Sequence, residues 1–185
     1  MAFVSKDMID AMIKRYGRPE EASFEISVPE AEYRFIRSTQ KHGRAHDVTV
    51  YAFKGDEVIV NAKHFYPPGM YRAPSGGIHP GEAIESGIAR EMMEETGTQV
   101  LLERFLLIAR VTFTNECGTI PWKSYVFQAR YLAGDFQFTD KREIREVRTA
   151  RLEEFIEFGK IMRTLDKGGL RYRAALHETV VPLLR

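Results

Sequence analysis

Gly76-Gly77-Ile78-His79-Pro80-Gly81-Glu82, continued through Arg90-Glu91-Met92-Met93-Glu94-Glu95-Thr96-Gly97, is the stretch from which the rest of the chain is read. It reads as a loop followed by a helix. Pro80-Gly81 closes the loop, Glu82 complements the positive first turn of a helix, and Gly97 stands where a left-handed C-terminal cap belongs. The helix is expected from about Glu82 to about Thr96. At about 100° per residue, the stripe that starts with Ile84 and Ile88 runs on into Glu91 and Glu95, with Glu94 roughly 60° to one side. Beside it, Ala83 and Gly87 are small enough for the Gly-rich loop to lie close to the helix backbone.

Three carboxylates near a helix C-terminus repel one another and face the negative end of the macrodipole. A solvated acidic face is the plain alternative for Glu94-Glu95 taken alone. A bound cation would relieve both penalties. Hard divalent ions prefer carboxylate oxygens, keep several waters, and commonly bind through one or two carboxylates together with substrate phosphates.

The spacing decides between the two. Gly76, Glu82, Arg90, Glu91, Glu94, Glu95 and Gly97, with aliphatic Met92 after Glu91, resemble the signature of the Nudix hydrolases. Thr98 departs from it, standing where an aliphatic residue is usual. The resemblance covers roughly residues 46–160 and implies an α/β fold, an α/β/α sandwich around a mixed β-sheet. It also implies hydrolysis, by attack of water on phosphorus, of the pyrophosphate bond of a nucleoside diphosphate linked to another moiety, with Mg²⁺ or Mn²⁺.

Under that resemblance Glu91, Glu94 and Glu95 hold the metal, and the backbone carbonyl of Ser75 or Gly76 adds an oxygen. Arg90 steadies the carboxylates, or simply pairs with Glu94 one turn on. Glu82 either caps and orients or joins the ligands. Glu91 is the first choice for general base, with Glu143 or Glu146 second; Glu143 also counts among the metal candidates. Gly76 and Gly77 flank the substrate, Arg72 or Lys63 reaches a phosphate, and Trp122, Tyr66 or Tyr71 stacks a base, packing being the alternative for each aromatic. His64, His79 and Cys117 are given no catalytic part. Glu94 and Glu95 are expected to matter for turnover and not for folding, so that Gln at either leaves the metal-free fold unchanged or slightly firmer. The competing function is a catalytically silent Nudix-type module that senses a nucleotide. The motif that extends the box in NADH pyrophosphatases is not found after Gly97, which leaves the second moiety open.

The 185 residues are 44% hydrophobic and 29% charged, which suits one globular domain. A formal net charge of +1 leaves phosphate recognition to local groups, and no stable nucleic-acid complex is expected. Cys117 is the only cysteine, so no intrachain disulfide forms, and a cytoplasmic setting follows. The N-terminus, Met1 to Asp7, shows no basic leader or apolar run, and nothing later is long and apolar enough for a membrane span.

Residues 1–45 read as an N-terminal extension, 46–160 as the core and 161–185 as a C-terminal helical segment. Ser5 caps a short helix that Gly17 stops. Ala22–Val28 alternates like a strand, and Tyr33–Arg37 reads as a second one. Two strands that would make only a marginal sheet alone suggest a homodimer. His46–Phe53 and Glu57–Ala62 form a hairpin across Lys54-Gly55-Asp56. Phe105–Phe113 and Ser124–Tyr131 form another with a long polar tip, residues 114–123. Gly134–Val147 is a charged connection. Leu152–Leu165 and Leu170–Leu183 are helices, the last fraying at Pro182.

Overall fold

The computed structural model describes residues 3–40 and 43–184; Met1 and Ala2 of the N-terminal stretch lie outside them. Helix α1, Lys6–Tyr16, begins where the Ser5 hydroxyl accepts the Met8 N–H at 3.2 Å and ends at Gly17. Strand β1, Glu20–Ser27, follows, and then Glu30–Thr39, which forms helix α2. The second strand expected at Tyr33–Arg37 is therefore a helix. Tyr33 and Ile36, three apart, are the residues it buries, while Phe35 between them is exposed. Pro29 stands at its N-cap, and Glu30 and Glu32 lie in the first turn. In so short a window the apolar pattern of a helix and that of a strand are hard to tell apart.

Strands β2, His46–Lys54, and β3, Glu57–Lys63, form the expected hairpin. The short β4, Ser75–Gly76, pairs antiparallel with β2. Helix α3, Ile84–Thr96, ends at Gly97 with φ 67° and ψ 27°, the expected left-handed cap. Strands β5, Thr98–Asn115, and β6, Gly118–Gly134, form one long antiparallel ladder with only Glu116 and Cys117 between them. The long polar tip is thus mostly strand. Pro121 is tolerated there because β6 begins to pair with β2 only at Lys123, leaving the overhang a single neighbour.

Strand β7, Ile144–Ala150, falls in what reads as a charged connection. It is an edge strand against β3, and its Arg145, Glu146 and Arg148 are the kind of residues that protect an edge from further pairing. Helices α4, Glu154–Thr164, and α5, Gly168–Val180, come last, with a 3-10 turn at Val181–Leu184 where Pro182 ends the α-helical bonding.

The strand order is β1-β5-β6-β2-β3-β7, mixed, with β1 parallel to β5 and β6 parallel to β2. Alternation along β2 and β3 divides the core in two. Val48, Val50, Ala52 and Ile59 pack with Ile84, Ile88 and Met92 of α3 and Met12 of α1. Tyr51, Val58 and Val60 pack with Phe155 and Phe158 of α4, Leu176 of α5 and Ile36 of α2. The result is the expected α/β/α sandwich. Because β1 lies on β5, the extension is part of the main sheet, and the reasoning that called for a second copy of the chain lapses.

Candidate active site

The site forms where β4 hands the chain to the loop before α3. Ile84, Ile88 and Met92 seat α3 on the sheet and turn the following carboxylates toward that loop. Gly76 admits one of them: a Cβ there would fall 1.8 Å from Cδ of Glu91. Gly87 likewise lets the loop in, since a Cβ would meet Ile78 at 2.4 Å.

Arg90 ties loop and helix together. Its Nε and Nη2 donate to the two carboxylate oxygens of Glu82 at 3.0 and 2.9 Å, and Nη2 also reaches the Gly77 carbonyl at 2.8 Å. Its Nη1 donates to Glu91 Oε1 at 2.8 Å and lies 3.5 Å from Glu94 Oε2. Glu82 accepts the His79 N–H as well, so both of its oxygens are engaged, which favours the orienting part over that of a metal ligand. The Arg90 hydrogen bonds hold its carboxyl below the usual range.

Glu91 is the opposite case. Burial pushes its pKa up, the Arg90 bond opposes this, and Glu95 and Glu94 add to it. Oε1 accepts from Arg90 and from the Gly77 N–H at 3.1 Å. Oε2 has no protein donor among the described residues.

Glu94 and Glu95 separate. Glu94 is largely exposed, whereas Glu95 is 4% exposed. Glu95 Oε2 accepts from Asn61 Nδ2 at 2.8 Å and the Ser75 N–H at 3.2 Å, and its Oε1 lies 3.4 Å from Arg72 Nη2. The guanidinium expected to reach a phosphate is therefore buried against Glu95 and the Ser75 hydroxyl. Glu95 fastens β3, β4 and α3 to one another, which argues against the expectation that it is dispensable for folding.

Arg72, Ser75, Arg90, Glu91, Glu94 and Glu95 border a cleft of about 540 Å³. Glu143 borders it, paired with Lys63, which holds the Glu143 carboxyl low while burial lowers the Lys63 pKa. Glu146 pairs with Arg145 and is not part of the cleft wall. Trp122 lines the cleft. Tyr66 is buried and Tyr71 packs on Phe158, so for both the packing alternative holds. His79 borders the cleft, His64 bonds the Lys141 carbonyl, and Cys117 is exposed at the hairpin turn.

Sequence reasoning passed over Asn61, Arg44, Asp47 and Arg173. Asn61, a polar residue between the apolar run Val58-Ile59-Val60 and Ala62, carries a readable signal. Arg173 of α5 donates to Asp47 at 2.7 Å, to Thr49 at 2.9 Å and to the Ser75 hydroxyl at 3.0 Å. Nothing local marks a pair 126 residues apart.

Among the described residues no three acidic, histidine or cysteine side chains gather into a ready-made metal cage. An open oxygen on Glu91 beside exposed Glu94 is instead an all-carboxylate donor set with few protein ligands. That fits a cation which keeps its waters and shares phosphate oxygens with a substrate.

The model of the NUDIX domain matches residues 41–168. The chain belongs to the Nudix hydrolase family. The match extends beyond the core expected at 46–160 and leaves α2 and nearly all of α5 outside it. Among curated relatives, this Nudix chain is 27% identical over 133 residues to the NAD-capped RNA hydrolase NudC of Pseudomonas syringae pv. tomato, covering 70% of this chain and 45% of the relative. It is 39% identical over 46 residues to the human NAD-capped RNA hydrolase NUDT12, covering 25% of this chain and 10% of that one. The chain thus spans less than half the length of either. Among solved structures, a NUDIX hydrolase from Nitrosomonas europaea shares the fold with a TM-score of 0.55 at 18% identity, over 74% of this chain and 89% of that one. Among the described residues no helix is long and apolar enough to cross a membrane.

Proposed function

We propose that this chain is a metal-dependent hydrolase that cleaves the pyrophosphate bond of a nucleoside diphosphate linked to another moiety. The observation that carries the reading is the Glu91 carboxyl, pinned at Oε1 by Arg90 and Gly77 and open at Oε2, beside Glu94 in the cleft. Glu91 and Glu94 would hold Mg²⁺ or Mn²⁺, with the Ser75 carbonyl as a further oxygen and Glu95 firming the loop that presents it. When bound, the ion neutralises charge on the bridging phosphates and acidifies water.

The chain's own groups do the positioning. Arg90 and the Gly77 N–H fix the Glu91 carboxyl, and Glu82 fixes Arg90. With Glu91 Oε2 given to the cation, Glu143, which borders the same cleft paired with Lys63, is the acid left to take the proton from water. The intact carboxylates favour an enzyme over a silent nucleotide-sensing module.

The named relatives put NAD-type dinucleotides first among substrates to test. Incubation with NAD(H), ADP-ribose, nucleotide sugars, dinucleoside polyphosphates and nucleoside triphosphates, the released products being separated by ion-exchange chromatography, tests activity and substrate together. Release that needs Mg²⁺ or Mn²⁺ and stops in excess EDTA is expected. Full activity in EDTA, or saturable nucleotide binding with no release from any compound, overturns the proposal.

A further inference from the structure

The cleft has a second half that the Nudix signature does not account for. Trp122 lies on the overhanging part of β6, opposite Val111 in the ladder, and borders the cleft. Helix α2 contributes Phe35, which is 67% exposed, together with Ile36 and Thr39. Arg44 joins the two halves. Its guanidinium carbon is 5.8 Å from the centroid of the Trp122 ring, within cation–π range. On its other side it lies flush on the loop: a Cβ on Gly77 would meet Arg44 Nη1 at 2.0 Å. Gly77 is also the residue whose N–H and carbonyl engage Glu91 and Arg90. Among the described residues Arg44 forms no ion pair.

Glu91, Gly77, Arg44 and Trp122 thus follow one another along a single cleft. A planted carboxylate comes first, then a cation with no ion pair among the described residues, then an aromatic face. A solvent-facing phenyl and a half-buried indole beside an uncompensated guanidinium suit a ligand that is planar at one end and anionic where it meets Arg44. Stacking of a base on an aromatic ring is largely indifferent to which base it is.

We infer that Arg44 and Trp122, walled by α2, form the subsite for the terminal nucleotide of the substrate: its base on Trp122 and its phosphate on Arg44. The inference rests on reading the acidic half of the cleft as the pyrophosphate site. It deepens that reading by assigning a residue and a helix outside the box to substrate selection.

Trp122 is the sole tryptophan of the chain, so its fluorescence reports this subsite directly. The 185-residue chain is titrated in EDTA, where no metal-dependent turnover occurs, with AMP, UMP, nicotinamide mononucleotide, adenosine and ribose 5-phosphate, the readings corrected for ligand absorbance. At least one nucleotide should quench Trp122 saturably. Adenosine should bind about tenfold more weakly than AMP, and ribose 5-phosphate should leave the emission unchanged. Arg44→Gln, checked for an unaltered circular-dichroism melt, should bring AMP down to the affinity of adenosine; Arg44→Lys should recover part of the loss. The assignment is overturned if no nucleotide quenches, if ribose 5-phosphate quenches as AMP does, or if Arg44→Gln binds AMP like the wild type. A chain that stacks AMP yet hydrolyses nothing keeps the subsite and loses the proposed activity. One that hydrolyses while Trp122 stays silent does the reverse.

Discussion

Glu94 faces solvent with Arg90 3.5 Å away, while Glu95, the next residue, is buried against Asn61, the Ser75 N–H and Arg72. Glu94→Gln should therefore leave the metal-free melting transition within a few tenths of a kcal/mol. Glu95→Gln should lower stability by about 3 kcal/mol, because it leaves the Arg72 guanidinium buried without its counter-charge. Under the proposed function turnover falls at least about a hundredfold in both. Urea unfolding and a rate assay on each variant check this, and equal stabilities would defeat the distinction. The acids themselves are legible from spacing. Their unequal burial is not, since it depends on Asn61 and Arg72 arriving from elsewhere. Two histidines add a pH signature. Burial lowers His46 to about 4, with Nε2 accepting the Ile78 N–H, and lowers His177 to about 3. Unfolded, both take a proton near pH 6.5, so below that value the unfolded chain binds more protons than the native one. Their contribution to stability is full above about pH 7 and is lost as pH falls toward 4, by up to about 1.4 kcal/mol per pH unit for each. Among the described residues His177 Nδ1 has no partner, and the ring packs edge-on to Tyr51 and Phe155. His177→Leu should flatten the acid limb of the stability curve with little cost at pH 8; an unchanged limb would show that His177 is not the group responsible.

At the scale of elements, legibility follows local chemistry. Helix α1 with Ser5 and Gly17, the β2–β3 hairpin and the Gly97 end of α3 carry their own start and stop signals and are read correctly. Helix α2 is misread because the five residues from Tyr33 to Arg37 cannot separate a three-residue period from a two-residue one. Strand β7 is missed because an edge strand needs charges where a central one needs apolar residues. The sequence puts the start of α5 at Leu170, two residues late, because its N-terminal N–H groups at Gly168 and Gly169 are satisfied from far away, each donating at 2.7 Å to the carboxylate of Glu32 on α2. Lys167, at the N-cap, contributes no side-chain bond of its own. Glu32→Ala should consequently cost about 1–2 kcal/mol, as loss of a helix cap does. Asp is one methylene too short to keep both bonds and should rescue only in part. A denaturant midpoint for Glu32→Ala equal to that of the wild type would count against the cap.

The sandwich as a whole was legible from one helix and two hairpins, since those elements admit few other layerings. What stayed hidden is how the parts outside the family match are built in. Arg173 of α5 is committed to Asp47, Thr49 and Ser75, so the C-terminal helix is wedged into the floor of the cleft. Arg173→Met should destabilise by about 3 kcal/mol or more, because Asp47 is left buried and unpaired, and adding Asp47→Leu should recover most of that loss. Additive losses in the double variant, read by thermal melts, would show the pair is not coupled. The Glu32 bonds join residues 136 and 137 positions apart. Contacts of that span are late rewards, since a long loop must close before they repay it. During synthesis, α2 leaves the ribosome well before the α5 segment that it caps. Its buried face can settle on β5 and β6 beforehand, but its Glu32 carboxylate has no helix to cap until the last one arrives. The wall given to substrate selection is therefore fastened at its far end only when the last helix of the chain has formed.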